Sequence, residues 1–129
     1  MLDTQSLATS GSNAPVDGGQ PKNFLRPCLL LLLKESPAHG YDLLERLREF
    51  SIERDPGGLY RTLRAMEHER LVASSWEPSF TGPDRRRYEL TQSGERWLVS
   101  WSRTLEDTRR VIDLFLVRHE QLGMAGGTA

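Results

Sequence analysis

"PGGLYRTLRAMEHERLVASSWEPSFTGPDRRRYEL", residues 56–90, holds the pattern on which the fold turns. Its opening reads as a helix running to about Arg70, with Asp55 a good N-cap and Pro56 a good first residue. On a wheel of about 3.6 residues per turn, Leu59, Leu63 and Met66 share one face, while Gly57, Arg61, Arg64 and His68 share the opposite one. The period then changes. "LVASSWEPS" and "RRRYEL" have strand-like composition and are joined through the turn "FTGPD". In the second strand Tyr88 and Leu90 alternate with Arg87 and Glu89, so one face packs inward, with Arg85 and Arg86 expected at the tip.

Two more helices precede this stretch. "FLRPCLLLLLKES" (24–36) is apolar nearly all round, which requires burial on most sides, and Pro27 fits only in its first turn. After the break "SPAHG", "YDLLERLREF" (41–50) spaces Leu43, Leu44, Leu47 and Phe50 as an amphipathic helix. Three helices followed by a hairpin is the winged helix-turn-helix order: a mainly α fold with a small β-hairpin. From "TQSGERW" a long C-terminal helix begins, with Thr91 or Ser93 as candidate cap and Glu95 in its first turn. Leu98, Trp101, Leu105, Thr108, Ile112, Phe115, His119 and Leu122 form a heptad seam along it, widened by Val111, Leu114 and Leu116. So small a domain has too little core to cover that seam, and the expected cover is a second copy. Phe24, Leu25, Leu98, Trp101, Leu105, Ile112 and Phe115 are the expected interface. The division anticipated is a disordered arm (1–22), a winged helix-turn-helix (23–90), a dimerisation helix (91–122) and a disordered tail (123–129).

Composition limits the function. The 129 residues carry 17 Lys+Arg against 18 Asp+Glu, net charge −1, which speaks against indiscriminate coating of nucleic acid; binding must come from where arginine is placed. A lone cysteine, Cys28, rules out an internal disulfide framework and suits a reducing cytosol. The start lacks the pattern of a secretory signal, and "PCLLLLLK" is too short to span a bilayer, so a cytoplasmic protein without membrane contact is expected. His39, His68 and His119 are scattered, no Cys/His/Glu set has metal spacing, and "PGG" lacks the context of a nucleotide-binding loop. Neither catalysis nor a cofactor or metal is expected, and His39 reads as a helix-start residue.

The third helix and the hairpin carry the functional reading. An apolar face docked on the domain, with guanidiniums opposite, is the layout of a helix that reads duplex DNA, though a solvated helix face can look the same. Gly57 and Gly58 let a phosphate approach the helix N-terminus, and Tyr60 could add its hydroxyl to the same phosphate. Arg85, Arg86 and Arg87 stand where a wing meets a DNA backbone or minor groove. A winged helix whose arginines bind an acidic protein partner is the alternative.

"HGYDLLERL", "PGGLYRTLRAMEHERLV" and "GPDRRRYELTQSGERWL" resemble the PadR family of bacterial transcriptional regulators, short form, over about residues 23–119. "KNFLRPCLLLLLKESPAHGYDL" and "WLVSWSRTLEDTRRVIDLFL" resemble its polyhydroxybutyrate-responsive repressor branch. The resemblance implies a homodimeric repressor on a near-palindromic operator, with half-sites about 10 base pairs apart. It places Tyr60, Arg61 and Arg64 as helix contacts and Arg86 with its neighbours as wing contacts. It also implies release by a small aromatic or hydrophobic effector near Trp97, Trp101 and Leu105; equally, the two tryptophans could simply fill the interface. "HERLV" departs from the family's Glu-Gly-Leu: Arg70 stands in place of the glycine, so the turn into the wing is expected to differ or to be strained.

Overall fold

The computed structural model describes residues 16–17, 20–21 and 23–127. Helix α1 (Leu25–Glu35) is the centre of the core: Leu25, Pro27, Cys28, Leu29, Leu30, Leu32 and Leu33 are buried, and Pro27 lies in the first turn, where no helical hydrogen bond is lost. Helix α2 (Gly40–Arg46) contributes Leu43, and a 3₁₀ turn (Leu47–Phe50) contributes Leu47, both fully buried. The second helix was expected to be α-helical to Phe50. Its last turn tightens instead, ending at Ser51 in the left-handed region (φ 60°). Helix α3 (Pro56–His68) buries Leu59, Leu63 and Met66 completely. Each such side chain contributes about 2 kcal/mol by leaving water.

The wing is the hairpin of β4 (Val72–Glu77) and β5 (Arg85–Leu90), in register from Val72↔Leu90 to Glu77↔Arg85. A third strand, β3 (Ala38–His39), pairs with the other edge of β5, giving the antiparallel order β3-β5-β4. That strand lies in the segment read as a simple break; a two-residue bridge is too short for a period. Between α3 and β4 the chain turns through Arg70 at φ 66°, so the non-glycine residue takes the left-handed conformation that glycine takes without steric cost. Arg26 and Glu69 brace this turn from α1 with paired bonds of 2.8 and 2.9 Å, and the bond to Arg26 holds the Glu69 carboxyl below its usual range.

Helix α4 (Gln92–Gly127) starts against the same turn. Thr91 is its cap: Thr91 Oγ1 accepts from the N–H of Gly94 at 3.0 Å and donates to the carbonyls of Arg70 (2.7 Å) or Leu71 (2.9 Å), while the Thr91 N–H bonds Leu71 O at 3.2 Å. Gly94 is buried here, and a Cβ on it would stand 2.1 Å from Leu71 O. Lys34 and Glu95 join α1 to α4 at the surface, as Arg46 and Glu35 join α2 to α1.

The expected chain ends need correcting. Helix α4 continues past residue 122 to Gly127, into the segment anticipated as a tail: Met124 and Ala125 are good helix formers and Gly123 alone does not stop it. In the arm anticipated as disordered, β1 (Val16–Asp17) pairs antiparallel with β2 (Gln20–Pro21). The rest of that expectation, for residues 1–15, 18, 19, 22, 128 and 129, lies outside the described residues.

Two outcomes follow from this packing. Gly94→Ala should lower unfolding free energy by about 2–4 kcal/mol in urea titration, because the new methyl meets backbone rather than a movable side chain; an unchanged midpoint would refute the tight joint. Burial pushes the Cys28 thiol from 9.0 up to about 12. Its uncharged form is therefore favoured on folding: this contribution is fully present below pH 9.0 and is lost as pH rises toward about 12. A thiol reagent at pH 8 should modify Cys28 only after denaturation; rapid reaction of the native protein would contradict the burial.

Candidate nucleic-acid interface

Asp55 caps α3 as the sequence suggests, Oδ2 accepting from the Gly58 N–H at 3.0 Å. That bond changes the expected phosphate approach at the two glycines, since the Gly58 N–H is already taken and only Gly57, which is exposed, leaves its N–H open. Arg61 folds over the same turn, its guanidinium 3.6 and 3.7 Å from where Cβ atoms on Gly57 and Gly58 would stand. Arg61, Arg64 and His68 are exposed opposite the buried Leu59, Leu63 and Met66. Neither Arg61 nor Arg64 has a hydrogen bond or salt bridge among the described residues, so both guanidiniums are available.

Tyr60, whose hydroxyl was expected to join the phosphate approached by the two glycines, packs toward α2. Its half-buried ring lies over Gly40, where a Cβ would come within 2.3 Å of the ring and 2.9 Å of the hydroxyl oxygen. The absent side chain of Gly40 lets α2 and α3 close up and turns the Tyr60 hydroxyl into a groove between α2 and the wing. That groove encloses about 490 Å³ and is lined by Tyr41, Tyr60, Arg64, Trp76, Arg85 and Arg86, among others. Tyr88, 4% exposed, closes its floor, and burial raises the Tyr88 hydroxyl above its usual pKa.

The three wing arginines do different things. The tip is the loop 78–84, where Ser79 N–H reaches Asp84 Oδ1 at 3.4 Å and Phe80 is fully exposed. Arg85 and Arg86 sit below it, in the first two ladder pairs opposite Glu77 and Trp76, because the loop is longer than the quoted turn "FTGPD". Arg85 is exposed. Arg86 lies over the Trp76 ring, 5.0 Å from its centroid, and its Nε donates to Ser74 Oγ at 2.9 Å. Arg87 is half-buried on the other face, 3.9 Å from Glu77, and Glu77 also takes His39 Nε2 at 2.7 Å. Sequence reading missed Trp76, Ser74, Glu67 and Tyr41, since the cross-strand register that sets Trp76 against Arg86 depends on the loop length.

The residues expected at an effector site only partly converge. Trp97 and Trp101 are half-buried with ring centroids 5.5 Å apart at 48°, and they line a hollow of about 420 Å³ with Asn23, Leu25, Arg26, Arg54 and Thr62. Leu105, a turn further on, lines a different surface hollow with Ser102, Glu106 and Arg109. Of the expected interface residues, Leu25 is 9% exposed and spends its surface inside its own domain, because α1 is buried on that side too. Phe24 is half-buried, edge-on to Phe50 at 6.1 Å. Leu98 is half-buried, whereas Ile112 and Phe115 are exposed. His119 is exposed and stacks on Phe115, and no metal-holding cluster of His, Cys, Asp or Glu exists among the described residues. Among those residues no helix is long and apolar enough to cross a membrane.

The sequence model of the transcriptional regulator PadR-like family matches residues 29–100. Several solved structures are similar. A conserved protein described as a potential transcriptional factor is 35% identical over 77% of this chain and 90% of its own, with a TM-score of 0.68. A PadR-like transcription factor from Bacteroides fragilis is 29% identical over 70% of this chain and 87% of its own, TM-score 0.63. Bacillus subtilis PadR, solved in complex with operator DNA, shares the fold at 23% identity and a TM-score of 0.57, over 61% of this chain and 46% of its own. No curated protein matches the chain.

Proposed function

From the premise that this chain belongs to the PadR-like family of transcriptional regulators, we propose that it is a homodimeric, sequence-specific DNA-binding repressor. The observation that carries this reading is the convergence of Arg64 of α3 with Arg85 and Arg86 of the wing around one groove, with Arg61 exposed one turn earlier on the same helix and, like Arg64, without a salt bridge among the described residues. Helix α3 enters a major groove, where Arg64 reaches a base edge, Gly57 and Arg61 approach a phosphate, and His68 extends the contact. Arg85 and Arg86 bind the flanking backbone. Bacillus subtilis PadR, which has this fold, is the precedent for operator DNA as the partner.

Residues 23–90 then form the reading head, and α4 joins two of them. Support for the dimer comes from Val111, Ile112, Phe115 and Leu122, apolar side chains exposed by 67, 42, 62 and 73% on α4. Two-fold symmetry sets half-sites about 10 base pairs apart. The effector is a small hydrophobic or aromatic compound held at Trp97 and Trp101. Resemblance of residues 22–43 and 97–116 to the polyhydroxybutyrate-responsive branch supports an apolar stimulus of this kind. Binding there would bear on α1 through Arg26, on α3 through Thr62 and on the approach to α3 through Arg54.

Selection from random duplexes, followed by fluorescence anisotropy across salt concentrations, tests DNA reading. Arg86→Ala should weaken all sequences alike and flatten the salt slope by about one. Arg64→Ala should cost about 1–3 kcal/mol on the selected site and relax its sequence preference. Failure to enrich any sequence would favour an acidic protein partner instead. For the assembly, Leu105→Asp should convert dimer to monomer by light scattering; a persisting dimer would place the interface elsewhere.

A further inference from the structure

One side-chain chain of bonds runs from the reading helix to the wing. Glu67 lies on the groove side of α3, one turn beyond Arg64, and its Oε2 accepts from Ser74 Oγ of β4 at 2.7 Å. Ser74 Oγ in turn accepts from Arg86 Nε at 2.9 Å. The direction of the relay is fixed by chemistry. An ionised carboxylate only accepts, so the single hydroxyl proton of Ser74 points to Glu67 and its lone pairs face Arg86. The Arg86 guanidinium is then held twice, by Nε and by its stacking 5.0 Å from the Trp76 centroid. Its two terminal nitrogens make no other hydrogen bond among the described residues, so the outer edge of the fork is open toward the groove.

Resting on the DNA-reading proposal above, we propose that Glu67 and Ser74 are positioning residues that preset the Arg86 fork for a phosphate and link its placement to α3. An arginine already fixed in its bound orientation loses less conformational freedom on contact than a free one. The relay also makes the wing contact depend on where α3 lies, because Glu67 and Arg64 share that helix.

A double-mutant cycle with the selected duplex tests this. Ser74→Ala should weaken binding about tenfold in the native background and leave affinity unchanged when Arg86 is already alanine. Ser74→Thr, which keeps the hydroxyl, should bind as the native chain does. Arg86→Lys should retain the salt slope, since the charge remains, yet lose affinity by a similar factor, since an ammonium has no separate Nε and fork. An equal loss from Ser74→Ala in both backgrounds would mean that Ser74 acts only through wing packing and would overturn the relay. No loss from Arg86→Ala itself would instead overturn the wing contact, and the relay with it, while enrichment of a sequence in the selection would still stand for α3.

Discussion

The carbonyl of Leu71 is where the parts of this molecule meet. It follows the left-handed Arg70, begins the strand side of the wing, receives the N–H of Thr91 and lies against the buried Gly94. End of α3, both strands of the wing and start of α4 are thereby fixed within a few ångströms. Hydrophobic burial around α1 supplies most of the stabilisation, but it is not directional. The joint supplies direction: it sets the angle of the wing to α3 and the direction in which α4 leaves the domain. Glycine at 94 is required by closeness of approach, whereas arginine at 70 is tolerated because the Arg26–Glu69 pair and the capped start of α4 hold the turn from both sides.

With that geometry fixed, an almost neutral chain gathers Arg64, Arg85 and Arg86 around one groove, where Asp42, Glu67 and Asp84 also stand. Most acidic residues near the reading head are engaged: Asp55 by the helix cap, Glu67 by Ser74, Glu69 by Arg26 and Glu77 by His39 and Arg87. Arg61, Arg64 and Arg85 carry no such pairing among the described residues. The sum of charges thus says little about the surface, while the distribution of partners says a great deal. The groove is also aromatic, with Tyr41, Tyr60, Trp76 and Tyr88 in its lining, and the Arg86 guanidinium is held by stacking on Trp76 as well as by its hydrogen bond to Ser74.

Much of this was legible in the sequence, for reasons that differ by element. Helix α3 showed itself because Leu59, Leu63 and Met66 repeat with the helical period and Asp55-Pro56 marks the start. The wing showed itself because the period falls to two around Tyr88. Strand β3 was invisible, since two residues carry no period, and so was the place of Arg86 in the ladder, which depends on a loop from 78 to 84. The direction of Tyr60 depends on the missing side chain of Gly40, twenty positions away, a contact that no local pattern encodes. Leu25 was assigned to a subunit interface because α1 is apolar all round; the domain's own core takes that face. The departure at Arg70 was visible, and in the structure that residue takes the left-handed conformation.

Helix α4 is joined directly to the wing by the hydrogen bonds of Thr91 to Leu71 rather than through a flexible linker. The central claim is that α3 and the wing together form the surface that meets DNA. Hydrogen exchange of the full chain, read by mass spectrometry with and without a selected duplex, tests it most directly. The account predicts new protection in residues 56–68 and 78–90, with the outer half of α4 unchanged. Protection confined to α4, or none in the wing, would contradict it.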